Sequence, residues 1–449
     1  MKIRGKSGWF WPSLAIVVGC ASALYHGLRI HPGWLFWDSA SQWTWAYALL
    51  DGFDTNLKVF GVSSQWPLFN TFIKVFFLKL GLSPGAVAIL QGSITNLVLY
   101  YVGFSFLPWR WLAFVVGTAF CMSPLIINYG LFHSGDSPAG ILVLLLTAFV
   151  ARFCRGFRTG YLIAAIGVFM VGVLIRYNFA SLLPVLLVMP AFAYLKASPV
   201  WLRSLLAVVA GVIALGTVIG VRIFDTHQMD TAFHGVLMRN LSFLREKEDP
   251  CIRKSIEGVF HDPDHIFDDA CYRTVLCKEI YWNIKKEGST REQLRCYFEF
   301  AAKDPQVWLR NNFIFIGHYL GIQRPMDQGD VKELINNTPH SHDSFRMVFD
   351  DQRMRYWSEL EGFSNGWKGF IGRPIYLMMI SFLFSLLAWR LRRDPVPALF
   401  FISGTLYYGV FLIDGPDCVF RYYYPSFLCF AISGILGGAR IISRERVLR

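Results

Sequence analysis

The stretch DSPAGILVLLLTAFVARF, residues 136 to 153, contains the pattern that decides the fold of this chain. It begins with an acid, continues for fifteen residues without a charge, and then reaches Arg152, the first of a basic cluster. A helix of this composition satisfies its own backbone hydrogen bonds and is therefore stable inside a bilayer, where no water is available. We predict that residues 139 to 153 form one membrane span.

Similar apolar runs recur along the chain and predict an all-α polytopic membrane protein. Of 449 residues, 54% are hydrophobic and only 16% charged, and a mean hydropathy of +0.40 is too high for a protein surrounded by water. Several runs reach the roughly 20 residues that a spanning helix needs, and we expect about ten transmembrane helices. The runs are 9–28, 86–107, 111–128, 139–153, 161–175, 179–195, 204–224, 371–391, 396–413 and 422–442.

The basic residues predict the orientation, because short loops rich in Lys and Arg stay on the cytoplasmic side. Both termini are therefore expected in the cytoplasm. This arrangement requires that the apolar piece 66–80 does not span; we interpret it as a helix in the outer interface, with Lys74 and Lys79 reaching the headgroups. In the alternative, it spans and one cluster breaks the charge rule. The clusters are Lys2, Arg4 and Lys6; Arg110; Arg152, Arg155 and Arg158; Lys196 and Arg203; Arg390, Arg392 and Arg393; and Arg440, Arg444, Arg446 and Arg449.

Polar and apolar composition divides the chain into three parts. We expect a transmembrane region at 1–224, an extracytoplasmic domain at 225–369 and C-terminal transmembrane helices at 370–449. The first outer loop, 31–85, carries the interfacial helix 66–80. The extracytoplasmic part is 145 residues long, the size of a small domain, and its apolar spacing predicts that it is mostly helical.

The outer domain contains the regular patterns and the cysteines that bear on its stability. Apolar residues at three- and four-residue steps predict helices at 290–303 and 304–320. Four cysteines in an oxidising compartment would pair as disulfides, with the connectivity open at this point. They are Cys251, Cys271, Cys277 and Cys296.

The formal charge of +12 does not indicate a nucleic-acid partner, because the basic residues lie in short cytoplasmic loops and tails. The same surplus favours contact with anionic headgroups, so membrane lipids are expected partners. Localisation as a multi-pass integral membrane protein follows from the apolar runs.

Four charged residues lie where the predicted topology brings them to the outer face. Asp38, in the aromatic stretch WLFWDS, follows the first run, and Asp136 begins another. An acid at the mouth of a membrane bundle is a candidate functional residue, although Asp136 also suits the start of a helix. Arg176 and Arg421 lie at the outer ends of further runs, where a guanidinium binds either a phosphate or lipid headgroups.

Together these residues resemble the GT-C superfamily, membrane glycosyltransferases that use polyprenyl-phosphate-linked sugars. The resemblance rests on WDS at 37–39, PLF at 67–69, GDSP at 135–138 and RYN at 176–178. The layout is similar to that of the bacterial aminoarabinose and protein mannosyltransferases over the transmembrane region 1–224. The C-terminal half matches only in general plan.

The resemblance implies an inverting transfer of a sugar from a polyprenyl-phosphate-linked donor to a cell-envelope glycan, lipid or protein on the outer face. It implies catalytic roles for Asp38, as general base, and Asp136. It implies that Arg176 and Arg421 bind the donor phosphate. The bacterial inner membrane is the expected location. The implied sugar and acceptor contacts are Trp37, Gln42, His133 and Tyr177.

A divalent metal is a further expectation. Asp38 and Asp136 would share Mg or Mn through oxygen ligands, and His318 would join them in a Zn site. No glycine-rich phosphate loop or nucleotide fingerprint is present in the sequence, which disfavours a nucleotide-sugar donor.

Two other classes share part of this pattern. An O-antigen polymerase-like or ligase-like enzyme would also have many spans, a large outer loop and outward arginines, but would not need Asp38. A polytopic lipid or solute transporter would show repeated halves or charges at mid-membrane, and this sequence has neither.

Overall fold

The computed structural model describes residues 9–30, 42–43, 46–47, 49–50, 68–156, 158–187, 211, 216, 251, 290–322, 373–414 and 420–443. Their regular structure is helical, and no strand occurs among them. A 3-10 helix, Tyr177–Leu182, is also present. The α-helices are α1 (Phe10–Arg29), α2 (Leu68–Lys79), α3 (Pro84–Phe106), α4 (Arg110–Cys121), α5 (Pro124–Gly130), α6 (Asp136–Gly156), α7 (Thr159–Ile175), α8 (Thr290–Lys303), α9 (Pro305–Tyr319), α10 (Pro374–Arg392), α11 (Val396–Asp414) and α12 (Phe420–Ile442).

Five described helices are long and apolar enough to cross a membrane, namely α1, α3, α6, α10 and most of α12. The expected span 111–128 is broken: α4 and α5 meet at an angle of 69°, and α5 begins with Pro124, whose ring cannot continue a preceding helix. Counted as one span, α4 and α5 make a sixth candidate membrane span. α7, α11 and the segment Asn178–Leu187 are apolar but shorter. The described helices thus agree with a polytopic helical membrane protein, while the count of ten transmembrane helices remains a prediction.

Helix α6 lies at the centre of the bundle and packs against α3, α7, α11 and α12. Its Val143, Leu146 and Val150 are fully buried. A Cβ added to Gly140 would lie 3.0 Å from the Tyr424 ring, so this glycine allows α12 to approach closely. By contrast α10 exposes a row of large apolar side chains, as expected of a surface that faces lipid.

Two short helices from the predicted outer domain are described. Cys296 of α8 forms a disulfide with Cys251, with 5.6 Å between the Cα atoms, which gives one pair of the four outer cysteines. Cys271 and Cys277 lie outside the described residues. Helix α9 leads back to the membrane region, because the Leu320 carbonyl accepts a hydrogen bond from the Ile375 amide at 3.1 Å. The division at residues 224 and 369 stays a prediction.

Candidate functional site

A buried ion pair lies where the start of α6 meets the end of α7. Arg176 Nη2 donates a hydrogen bond to Asp136 Oδ1 at 2.5 Å, and the two side chains are 4% and 0% exposed. Asp136 is the first residue of α6, where the helix dipole favours a carboxylate. Arg176 follows α7 in an extended conformation, which turns the chain into the 3-10 helix. The sequence predicted separate roles for these residues, and the structure brings them into contact.

Helix α2 closes one side of this pair with an unusual distribution of residues. Asn70 and Lys74, one turn apart, are buried, whereas Phe72 and Phe76 on the opposite side are 54% and 58% exposed. Asn70 Nδ2 donates a hydrogen bond to the carbonyl of Ile175 at 3.1 Å, immediately before Arg176. A helix with its polar face inward and its apolar face outward suits contact with lipid.

Lys74 lies inside the protein, so the prediction that it reaches the headgroups is wrong. Its Nζ donates a hydrogen bond to Gln42 Oε1 and lies 5.6 Å from the centre of the Trp43 ring. These two partners hold the ammonium inward, whereas Lys79 is exposed. Among the described residues, no carboxylate lies within ion-pair distance of Lys74. Burial lowers the pKa of Lys74 to about 7.

His133 joins the same cluster from the loop before α6. Its ring meets the buried Trp43 ring edge-on, with 5.4 Å between centroids. The preceding turn is held by Gln91, whose Nε2 donates hydrogen bonds to the carbonyls of Gly130 and Phe132 at 3.0 and 2.8 Å. Of the implied sugar and acceptor contacts, Gln42 therefore contacts Lys74 directly, and His133 contacts the Trp43 ring that Lys74 also faces.

A second polar surface adjoins the ion pair on the side of α11 and α12. Tyr407 is close enough to Asp136 and Arg176 for both charges to act on it, and its ring packs 6.3 Å from Phe179 of the 3-10 helix. Tyr424 stacks on Tyr129 at 4.6 Å. Buried polar atoms without a protein partner normally bind water or a ligand. Five buried oxygen atoms on α6, the 3-10 helix, α11 and α12 lack a partner among the described residues. We call this set the hydroxyl seam: Ser137 Oγ, Asn178 Oδ1, Tyr407 Oη, Tyr424 Oη and Ser426 Oγ.

Five predicted site residues lie wholly or partly outside the described residues. Asp38 and Trp37 lie outside the described residues. Tyr177, His318 and Arg421 lie in described helices, but their side chains are outside the description. Their roles stay predictions.

The described residues fit a divalent metal poorly. Asp136 Oδ1 already accepts from Arg176, and the guanidinium charge beside it opposes a cation at the other oxygen. No described group of three His, Cys, Asp or Glu side chains is arranged to hold a metal. The metal-ligand set of Asp38, Asp136 and His318 remains a prediction.

Fold and site together define a polytopic, all-helical membrane protein with a buried, cation-containing polar site at one end of its bundle. No protein-family model matches this chain, and no curated protein does. It is similar to the crystal structure of ArnT from Cupriavidus metallidurans bound to undecaprenyl phosphate, at 13% identity, over 97% of this chain and 78% of that chain, with a TM-score of 0.34. A likeness this low carries no conclusion about function.

Proposed function

We propose that this protein is a membrane glycosyltransferase that transfers a sugar from a polyprenyl-phosphate-linked donor to a cell-envelope acceptor on the outer face. The observation that carries the proposal is the charge of the buried site. Lys74 and Arg176 are two buried cations, and Asp136 is the one carboxylate that the structure describes beside them. When Lys74 is protonated, these three described side chains carry a net charge of +1, which matches the single negative charge of a phosphodiester.

The position of Lys74 supports a lipid-linked donor. It lies on α2, whose exposed Phe72 and Phe76 form an apolar outer surface. A polyprenyl chain would follow that surface in the bilayer while its phosphate reaches the inner face of the same helix. A soluble sugar donor would gain nothing from this arrangement.

In the proposed reaction, the acceptor oxygen attacks the anomeric carbon opposite the phosphate, which inverts its configuration. The acceptor loses its proton to Asp38, and the electrons of the broken carbon–oxygen bond pass to the phosphate. The leaving polyprenyl phosphate gains one negative charge, which Arg176 and Lys74 stabilise in a site sheltered from water. Asp136 orients the guanidinium of Arg176. The role of Asp38 rests on the resemblance of its sequence context.

The hydroxyl seam supports a place for the sugar. Its unpartnered oxygen atoms suit the hydroxyl groups of a carbohydrate. Because Tyr407 is near both members of the ion pair, a sugar there would lie next to the phosphate.

Purified protein in lipid nanodiscs tests the proposal directly. We would add a panel of polyprenyl-phosphate-linked hexoses, pentoses and aminopentoses and measure binding by native mass spectrometry. Wild type is expected to bind at least one, and Lys74→Gln to weaken it roughly 30-fold, the equivalent of about 2 kcal/mol for an unpaired buried anion. Lys79→Gln is the matched control on the same helix and is expected to bind normally. Equal donor binding by Lys74→Gln and Lys79→Gln contradicts the assignment of Lys74 to the donor phosphate.

A further inference from the structure

The other end of the bundle carries a second concentration of charge, connected to the first by α6. Arg155 lies nineteen residues after Asp136 on this helix, a rise of about 28 Å at 1.5 Å per residue. This is close to the roughly 30 Å thickness of a bilayer's hydrocarbon core. The two charged sites are therefore spaced to lie at opposite faces of a membrane.

One buried carboxylate organises this second site. Asp394, fully buried between α10 and α11, accepts hydrogen bonds from Arg155 Nη2 at 2.9 and 3.1 Å. Its Oδ2 also lies 2.9 Å from Arg440 Nε of α12, and its Oδ1 accepts from the Val396 amide at 3.1 Å. A single acid is thus shared by two arginines and a helix start.

Further guanidinium groups lie near the ends of α3 and α12. The guanidinium carbons of Arg152 and Arg155 lie 5.8 and 5.3 Å from the centre of the Phe106 ring. Arg440 Nη2 donates a hydrogen bond to the Phe106 carbonyl at 2.8 Å. Arg392 Nη2 donates to the carbonyl of Ile441, the neighbour of Arg440, at 3.1 Å. These four arginines, Arg152, Arg155, Arg392 and Arg440, form what we call the arginine pocket.

The arginine pocket is short of negative charge. Among the described residues, Arg155 and Arg440 share one carboxylate, Asp394, and no ion pair is described for Arg152 or Arg392, so these five side chains carry a net charge of +3. Arg152 Nε and Arg392 Nε are buried and have no hydrogen-bond partner within the described part of the chain. Buried N–H donors normally find a partner, so these two indicate a missing acceptor.

The surroundings of the pocket indicate where that acceptor comes from. Leu391 and Ile442, adjacent in sequence to Arg392 and Ile441, are 61% and 74% exposed, and Trp389, three residues before Arg392, is 57% exposed. Exposed apolar side chains beside guanidinium groups provide an acyl-chain surface next to a headgroup site, and Trp is typical of the membrane interface.

We propose that the arginine pocket binds the phosphate of an anionic phospholipid from the adjacent leaflet. A guanidinium binds phosphate oxygens through two parallel hydrogen bonds, which a general basic surface does not provide. The lipid would hold the ends of α3, α6, α10 and α12 together at this face. The assignment is independent of the proposed transferase activity.

Native mass spectrometry of the full chain in detergent tests the pocket with phosphatidylglycerol, cardiolipin, phosphatidylcholine and inorganic phosphate as separate probes. Wild type is expected to retain the two anionic lipids over phosphatidylcholine. The double variant Arg152→Gln/Arg392→Gln is expected to lose roughly tenfold or more in affinity for them. The matched control is Arg158→Gln/Arg390→Gln, which removes two exposed arginines and is expected to bind as wild type does.

Four results would count against the proposal. Equal losses in both double variants would mean general attraction to a basic surface, and equal binding of phosphatidylcholine would mean no charge recognition. Binding of inorganic phosphate without preference for anionic lipid would assign the pocket to a free anion. Arg152→Lys/Arg392→Lys keeps the charges if the Gln variant misfolds; it is expected to bind the anionic lipids more weakly than wild type, because an ammonium lacks the two parallel donors, and an affinity equal to that of wild type counts against the proposal.

Discussion

Arg176 donates to Asp136 across 2.5 Å, and neither side chain is more than 4% exposed. Removing one member of a buried ion pair leaves the other charge buried and unpaired, which costs about 3–5 kcal/mol. The pair therefore holds α6 to α7 and also fixes the guanidinium that the proposed mechanism aims at the donor phosphate.

A double-mutant cycle separates these two contributions. Asp136→Ala and Arg176→Met are each expected to destabilise the protein by about 3–5 kcal/mol, whereas the double variant recovers most of that loss because no charge remains unpaired. Chemical unfolding in detergent measures the stability. All three variants are expected to lose transfer activity. Additive losses in the double variant would show that the two residues act independently.

The pH dependence of donor binding follows from Lys74. Burial lowers the pKa of Lys74 to about 7 in the free protein, and a bound phosphodiester raises it again. Affinity for a polyprenyl-phosphate-linked sugar is therefore expected to be constant below pH 7 and to fall as pH rises above it, approaching tenfold per pH unit. Lys74→Arg keeps its charge and is expected to abolish the dependence. A wild-type affinity that does not change between pH 7 and 9 contradicts this role.

Tyr407→Phe removes only the hydroxyl of the seam. Because that hydroxyl has no partner among the described residues, stability is expected to be unchanged or slightly higher, while kcat/KM for transfer falls up to about tenfold. Tyr100→Phe is the reciprocal control, since its hydroxyl lies 2.8 Å from Thr118 Oγ1. That variant is expected to lose stability and keep activity. Thermal unfolding and a transfer assay measure both, and the opposite pattern would count against a sugar site.

Close helix packing near the C-terminus gives a prediction about stability alone. A Cβ added to Gly437 of α12 would lie 2.8 Å from the Phe384 backbone carbonyl of α10. Gly437→Ala is expected to destabilise the protein by about 1–3 kcal/mol, because backbone must move. Gly409→Ala meets no atom within 4 Å and is expected to be neutral or stabilising. Unfolding midpoints in one detergent compare the two, and equal midpoints would show that α10 and α12 separate easily.

Local sequence features predicted the helices well, because length and hydropathy are properties of a segment. The runs that became α1, α3, α6, α10 and α12 needed no knowledge of their neighbours. The break between α4 and α5 could have been predicted from Pro124, whose effect is also local.

The site was less accessible to prediction, because its residues become neighbours only after the helices pack. Lys74 was expected to reach the headgroups; its contacts with Gln42 and Trp43, 32 and 31 residues earlier, hold it inside. One sequence signal for the burial of Lys74 was available. Asn70 and Lys74 stand four residues apart in a mostly apolar helix, which places both on one face. Tyr407 had no such signal, since its link to Asp136 and Arg176 spans more than two hundred residues.

The central claim, that this chain consumes a polyprenyl-phosphate-linked sugar, is tested most directly in cells that lack it. Mass spectrometry would compare the lipid-linked sugars and envelope glycans of deletion cells complemented with wild type, Lys74→Gln or Lys79→Gln at matched membrane levels. The account predicts that the deletion and Lys74→Gln accumulate one polyprenyl-phosphate-linked sugar and lose one sugar unit from a glycan, lipid or protein, while wild type and Lys79→Gln do neither. An unchanged lipid-linked pool and glycan profile in the deletion cells would contradict the claim.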